Sequence, residues 1–134
     1  MERFSVDVKV IVSFYSIGFL VGTYSHVQSI LLNGFFTLSK NAPLLFNIYW
    51  DSLALFDPLA ALLIWIKPKV GIWLAILIMV SDISVNIYSY TNGFFGKPIA
   101  GMIPMWLFQQ SLFATYVFVT APLLAEKLKN RLLV

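Results

Sequence analysis

The chain has 134 residues, enough for one compact domain, and 60% of them are hydrophobic against 11% charged. That balance, with a mean hydropathy of +0.85, excludes an ordinary soluble composition. The absence of cysteine excludes disulfides, thiolate chemistry, iron–sulfur clusters and Cys-ligated zinc, and the formal charge of +3 is spread over predicted helix ends, which leaves no nucleic-acid footprint.

A spanning helix needs about 20 mostly apolar residues. Four segments meet that requirement: 8–32, 44–66, 70–90 and 99–125. The expected fold is therefore all-α, a single domain over residues 1–134 that forms an integral membrane bundle of four transmembrane helices. Arg3 and Lys9 precede the first apolar run as they would in a signal peptide. The run continues past Leu20 without a small-residue cleavage pattern, so it is expected to be a retained helix.

In the first helix Tyr15, Gly18, Gly22, His26, Ser29 and Asn33 recur at spacings of three and four, which places them on one face. Gly18 and Gly22 form a GxxxG pair that permits close helix approach. His26 is the only histidine, and it is either a packed side chain or an acid–base group. Asn33-Gly34 and Asn41-Ala42-Pro43 then mark a turn-rich connection.

The second helix carries Asp51, flanked by Trp50 and Ser52, and Asp57 immediately before Pro58. Proline has no N–H, so the carbonyl of Ala54 loses its helical partner. A freed acceptor in mid-membrane is tolerated only beside protein groups or water. After the minimal hairpin Lys67-Pro68-Lys69, the third helix places Asp82, Asn86 and Ser89 on one face, with Asp82 and Asn86 at hydrogen-bonding i, i+4 spacing. A carboxylate at membrane depth costs about 3 kcal/mol on insertion scales. Asp51, Asp57 and Asp82 together therefore predict a polar hollow that the other helices close.

The fourth helix is poorer in ionisable groups. Gln109, Gln110, Ser111, Thr115 and Thr120 are polar members of the kind that glue helices together. Trp106, Phe108, Phe113, Tyr116 and Phe118 supply aromatic surface for lipid or ligand, and Pro104 and Pro122 stand near the ends.

Orientation follows from the cations. Arg3, Lys9, Lys67, Lys69, Lys127, Lys129 and Arg131 fall on one side, and only Lys40 and Lys97 on the other. The positive-inside rule puts both termini in the cytoplasm. Counted from that side at about 1.5 Å per residue, Asp57, Asp82 and Asp51 lie roughly 14, 18 and 22 Å deep, and His26 and Asn86 roughly 24 to 27 Å. One pocket in the non-cytoplasmic half is expected to gather them.

Such a pocket supports several chemistries. A proton donor beside an acceptor can move a double bond on a buried lipid. A carboxylate in an aromatic cage can hold an amine or stabilise a carbocation. The same groups can carry protons for a small transporter, which with four helices would act as an oligomer, or merely clasp the helices of an assembly subunit. A homodimer is allowed and not required. No HxxH or HxxE spacing supports a metal, no glycine-rich loop supports a phosphate cofactor, and no cofactor is expected.

The arrangement resembles the EXPERA family, which includes the emopamil-binding sterol isomerase and the sigma-2 receptor. Asp82 followed by Gly93-Phe94 is similar to that family's Asp and Gly-Phe turn. Pro104 and Pro122 are similarly spaced, Trp50-Asp51-Ser52 before Asp57-Pro58-Leu59 resembles its acid followed by Gly-Pro-Leu, and His26 before Asn33-Gly34-Phe35 resembles its histidine segment. The resemblance covers residues 22–128 and departs at Ile30, Asn33, Thr115 and Phe118, where the isomerase has Glu, an acid, Asn and Trp. It implies a lipophilic intramembrane pocket for a sterol- or terpenoid-like lipid or a cationic amphiphile. Asp51, Asp82 and His26 would be the acid–base set. Asp57, Asn86, Asn33, Trp50, Thr115 and Phe118 would line the ligand site.

Overall fold

The computed structural model describes residues 4–132 and contains four α-helices: α1 (Val6–Asn33), α2 (Leu44–Ile66), α3 (Pro68–Thr91) and α4 (Met105–Leu132). Each contains a stretch long and apolar enough to cross a membrane. Arg3 lies outside the described residues, as does the side chain of Arg131.

The helices pack as a ring in chain order. α1 lies most extensively on α2, α2 on α3 and α3 on α4, while the α4–α1 contact that closes the ring is the slightest. Short connections enforce this order, since a one-residue joint at Lys67 leaves α3 no choice but to fold back on α2. Gly71 makes that return tight, because a Cβ there would collide with the backbone of Leu63 and Ile64. The start of α1 and the last turns of α4 meet at the Lys67 end of the bundle. Lys127 pairs with Asp7, and the ring of Phe4 meets Trp65 edge-on at 6.0 Å.

The core follows from helical spacing. Val8, Val12, Tyr15 and Phe19 recur every three or four residues along α1 and are buried. They meet Leu53, Ala60 and Ile64 of α2, Ala75 and Ile78 of α3, and Ala114, Val117, Ala121 and Leu124 of α4. The many alanines bring backbones close, the usual device where lipid supplies no hydrophobic drive between helices. The opposite faces expose Phe14, Ile17, Leu55, Leu62, Leu77 and Val119, an apolar exterior suited to acyl chains.

The bounds of the fourth helix differ from the sequence expectation. α4 begins at Met105 instead of residue 99 and runs to Leu132 instead of 125. Gly101 has φ 77°, a left-handed bend that interrupts any helix there. The carbonyl of Pro104 then accepts the first helical bond, from the N–H of Phe108 at 3.0 Å. Pro122 lies inside α4 and does not end it, and Pro58 likewise lies within α2.

Replacing Gly71 by Val forces the α2–α3 hairpin apart. We expect Gly71→Val to cost about 1–3 kcal/mol in detergent unfolding, while the lipid-facing Leu77→Val changes little. Equal stability of the two variants would show that the hairpin is not tightly packed.

Candidate functional site

The weak α1–α4 contact leaves a cavity of about 710 Å³ in the half of the bundle away from the chain ends. The small-residue face of α1 forms one wall, with Gly18, Gly22, Ser25, His26 and Ser29. Met79, Asp82 and Asn86 of α3 and Trp106, Gln109, Gln110 and Phe113 of α4 form the others. From α2 only Trp50 reaches it. The glycines set the depth of the wall: a Cβ at Gly18 would strike the ring of Phe113, and one at Gly22 the carboxylate of Asp57.

The loops between the helices roof this end, contributing Leu38 and Phe95 to the lining. Phe95 stands between Trp50 and Trp106, with ring centroids 5.2 and 5.4 Å away. The two loops are tied together by the Ser39 hydroxyl, which donates to the carbonyl of Phe94. Ser39 is held in turn by Asn47, whose side chain accepts from the Ser39 N–H and donates to the Ser39 carbonyl, both at 2.9 Å.

One polar network crosses the cavity floor. Asp82 and Asn86 are 4% and 7% exposed. The Asn86 amide donates to Asp82 Oδ1 at 3.1 Å and to Gln110 Oε1 at 2.7 Å. Its carbonyl oxygen accepts from the Trp50 indole at 2.8 Å. The Gln110 amide donates to the other Asp82 oxygen. The network therefore joins α2, α3 and α4 and leaves out α1. Beside it, the Tyr49 hydroxyl and Ser81 Oγ are 2.7 Å apart.

α1 meets its own carboxylate. His26 Nε2 lies 4.0 Å from Asp57 Oδ2. Asp57 is 5% exposed, and its Oδ1 is buried without a hydrogen-bond partner, which is costly for a carboxyl at this depth. Asp57 sits behind Gly22 and His26, outside the cavity lining.

Of the residues singled out from sequence, His26, Trp50, Asp82 and Asn86 share the cavity. Asp51 lies off it. One of its oxygens takes the N–H of Phe36 at 2.6 Å and so holds the left-handed turn, φ 60°, of the first loop. Asn33 is exposed at the end of α1, where its carbonyl accepts from Thr37. Thr115 is also exposed and donates to the carbonyl of Ser111 in its own helix. Phe118 lines a separate groove near the chain ends. Gln110 was marked by sequence only as a polar member of the fourth helix, and its pairing with Asp82 depends on helix register. Among the described residues no three metal-ligating side chains cluster.

Compared with protein-family models, with curated proteins and with solved structures, the chain finds no match.

Asn86→Leu removes the partner of the Trp50 indole, and a buried unsatisfied donor costs about 1–3 kcal/mol. Combining it with Trp50→Phe should recover part of that loss in a double-mutant unfolding cycle. Strict additivity would mean that the two side chains are not coupled.

Proposed function

We propose that this chain binds a hydrophobic small molecule or lipid within the membrane, in the cavity between α1, α3 and α4. The observation that carries the reading is the combination of about 710 Å³ of space, aromatic and aliphatic walls and a few convergent polar groups. Ligand sites have this size and make-up. His26, Asp82, Asn86 and Gln110 offer a polar end for a hydroxyl or amine, while Phe19, Phe113 and Trp106 contact the apolar body. α1 and α4 both line the cavity and touch each other least among the neighbouring helices, which suits entry between them from the bilayer.

The likeness of the Asp82 and His26 segments to the EXPERA family supports a sterol- or terpenoid-like ligand, or a cationic amphiphile. In the catalytic version of the proposal, one of His26 and Asp82 gives a proton to one end of a double bond. The other removes a proton from the carbon beyond it, so the bond shifts without redox chemistry.

A second reading is favoured by one specific feature. Both Asp82 oxygens are already held by amides of the same chain, as a structural clasp requires. The two readings separate on the cavity wall opposite the clasp. Ser25 lines the cavity and is exposed, with no part in the network. A bulky Ser25→Trp should remove from the hydrophobic molecules retained in native mass spectrometry the one that the cavity holds, while leaving unfolding unchanged. Deuterium uptake into a retained lipid from heavy water would report turnover. An unaltered set of co-purifying molecules in Ser25→Trp removes the binding proposal and leaves the clasp.

The basic residues gathered at the chain ends favour cytoplasmic termini. The chain has no cysteine, so single introduced thiols can test this cleanly. A membrane-impermeant maleimide applied from the cytoplasmic side of the sealed membrane should label Lys67→Cys at once and Lys97→Cys only after permeabilisation. The reverse pattern inverts the assignment.

A further inference from the structure

At the opposite end of the bundle from the cavity, α3 and α4 diverge around a second space of about 600 Å³. Its lining is sharply divided. Lys69 of α3 and Lys129 of α4 stand at one end. The rest is apolar, with Ile72, Trp73 and Ile76 descending α3 opposite Phe118, Pro122 and Ala125 of α4. No carboxylate is among the lining residues. Within the described residues, Lys127 is paired with Asp7, whereas neither Lys69 nor Lys129 is given an acidic partner by the fold.

The spacing explains the division. On α3 the lining falls at steps of three and four from Lys69, and on α4 at the same steps up to Lys129, so each helix presents one continuous stripe. At about 1.5 Å per residue the apolar part extends roughly 10 Å along α3 and roughly 16 Å along α4 from its lysine. Trp73, 67% exposed, stands one turn inside Lys69, the usual depth of an interfacial indole. No side chain caps the start of α3, whose partial positive charge adds to that of the lysines.

We propose that this groove is a binding site for an anionic phospholipid, with the phosphate held between Lys69 and Lys129 and one acyl chain laid between α3 and α4. A zwitterionic lipid brings its own cation to the same place and loses the advantage. A wholly apolar molecule leaves two ammonium groups at the groove's mouth without a counter-charge. A protein helix is a poorer occupant, because about 600 Å³ is too small to seat one and the two lysines ask for an anion. The site is separate from the cavity near Asp82 and shares no lining residue with it.

The test uses the full chain in detergent, with native mass spectrometry in equimolar phosphatidylglycerol and phosphatidylcholine. The protein should retain phosphatidylglycerol preferentially, and Lys69→Gln with Lys129→Gln should reduce that preference about thirtyfold, in line with about 1 kcal/mol per lysine near a membrane surface. Lys40→Gln with Lys97→Gln removes the same charge from the other end and should leave it unchanged. Ala125→Phe, at an exposed position, fills the groove without touching charge and should lower retention of both lipids. A preference that survives the Lys69 and Lys129 changes, or that falls equally with Lys40 and Lys97, overturns the site. So does full retention in Ala125→Phe.

Discussion

The structure depends on accommodating the Asp82 carboxyl in the middle of an apolar bundle. An ionisable group there is unfavourable unless its own chain surrounds it with donors. The amides of Asn86 and Gln110 do so, one to each oxygen. Asn86 is the junction, because it also takes the Trp50 indole from α2. Hydrogen bonds to a charged group contribute about 1.5–3 kcal/mol each, comparable with the insertion cost, so the network can offset what Asp82 costs. Three helices are thereby fixed in mutual register by a single side chain.

α1 has no place in that network, and the cavity is the consequence. It joins the bundle by other means: glycine faces laid against Phe113 and Asp57, the Tyr15 hydroxyl donating to the carbonyl of Val117 at 2.9 Å, and the Trp65 indole donating to Ser16 at 2.8 Å. The last two lie toward the chain ends, where the core is tightly filled. Toward the loops, the face that α1 turns to the cavity is mostly small, with Gly22, Ser25 and Ser29 beside Val21 and His26. Small residues facing the large aromatics of α4 leave space unless something else occupies it.

How far this was legible in the sequence differs by kind of information. Periodicity within one helix carried well. The spacing of Gly18, Gly22, His26 and Ser29 defines the wall of the cavity, and the i, i+4 step from Asp82 to Asn86 is a hydrogen bond. Relations between helices did not carry. Gln110 is one of two adjacent glutamines, and nothing local says that it and not Gln109 reaches Asp82. Axial depth was the weakest guide. Asp51 has a depth between Asp82 and Asn86 by counting, yet it faces a different azimuth and holds the Phe36 turn. The start of α4 was misplaced because a hydropathy window cannot see the left-handed Gly101.

Asp51, Asp57 and Asp82 thus meet three different solutions to the same problem. Asp51 escapes to the loop, where a backbone N–H and solvent share its charge. Asp82 is enclosed and fully hydrogen-bonded. Asp57 is enclosed and incompletely bonded, with only the distant imidazole of His26 beside one oxygen and nothing on the other. Pro58 compounds this, since the carbonyl of Ala54 a turn earlier has no helical donor. A packed interior built only for stability would not keep a carboxyl in that state, because an apolar side chain of similar size removes the cost. Asp57 lies directly behind Gly22 and His26, so the one buried side-chain oxygen without a hydrogen-bond partner among the described residues backs the wall of the cavity. That unpartnered oxygen belongs to the α1–α2 contact, and an occupant of the cavity that shifts His26 changes the surroundings of Asp57 as well.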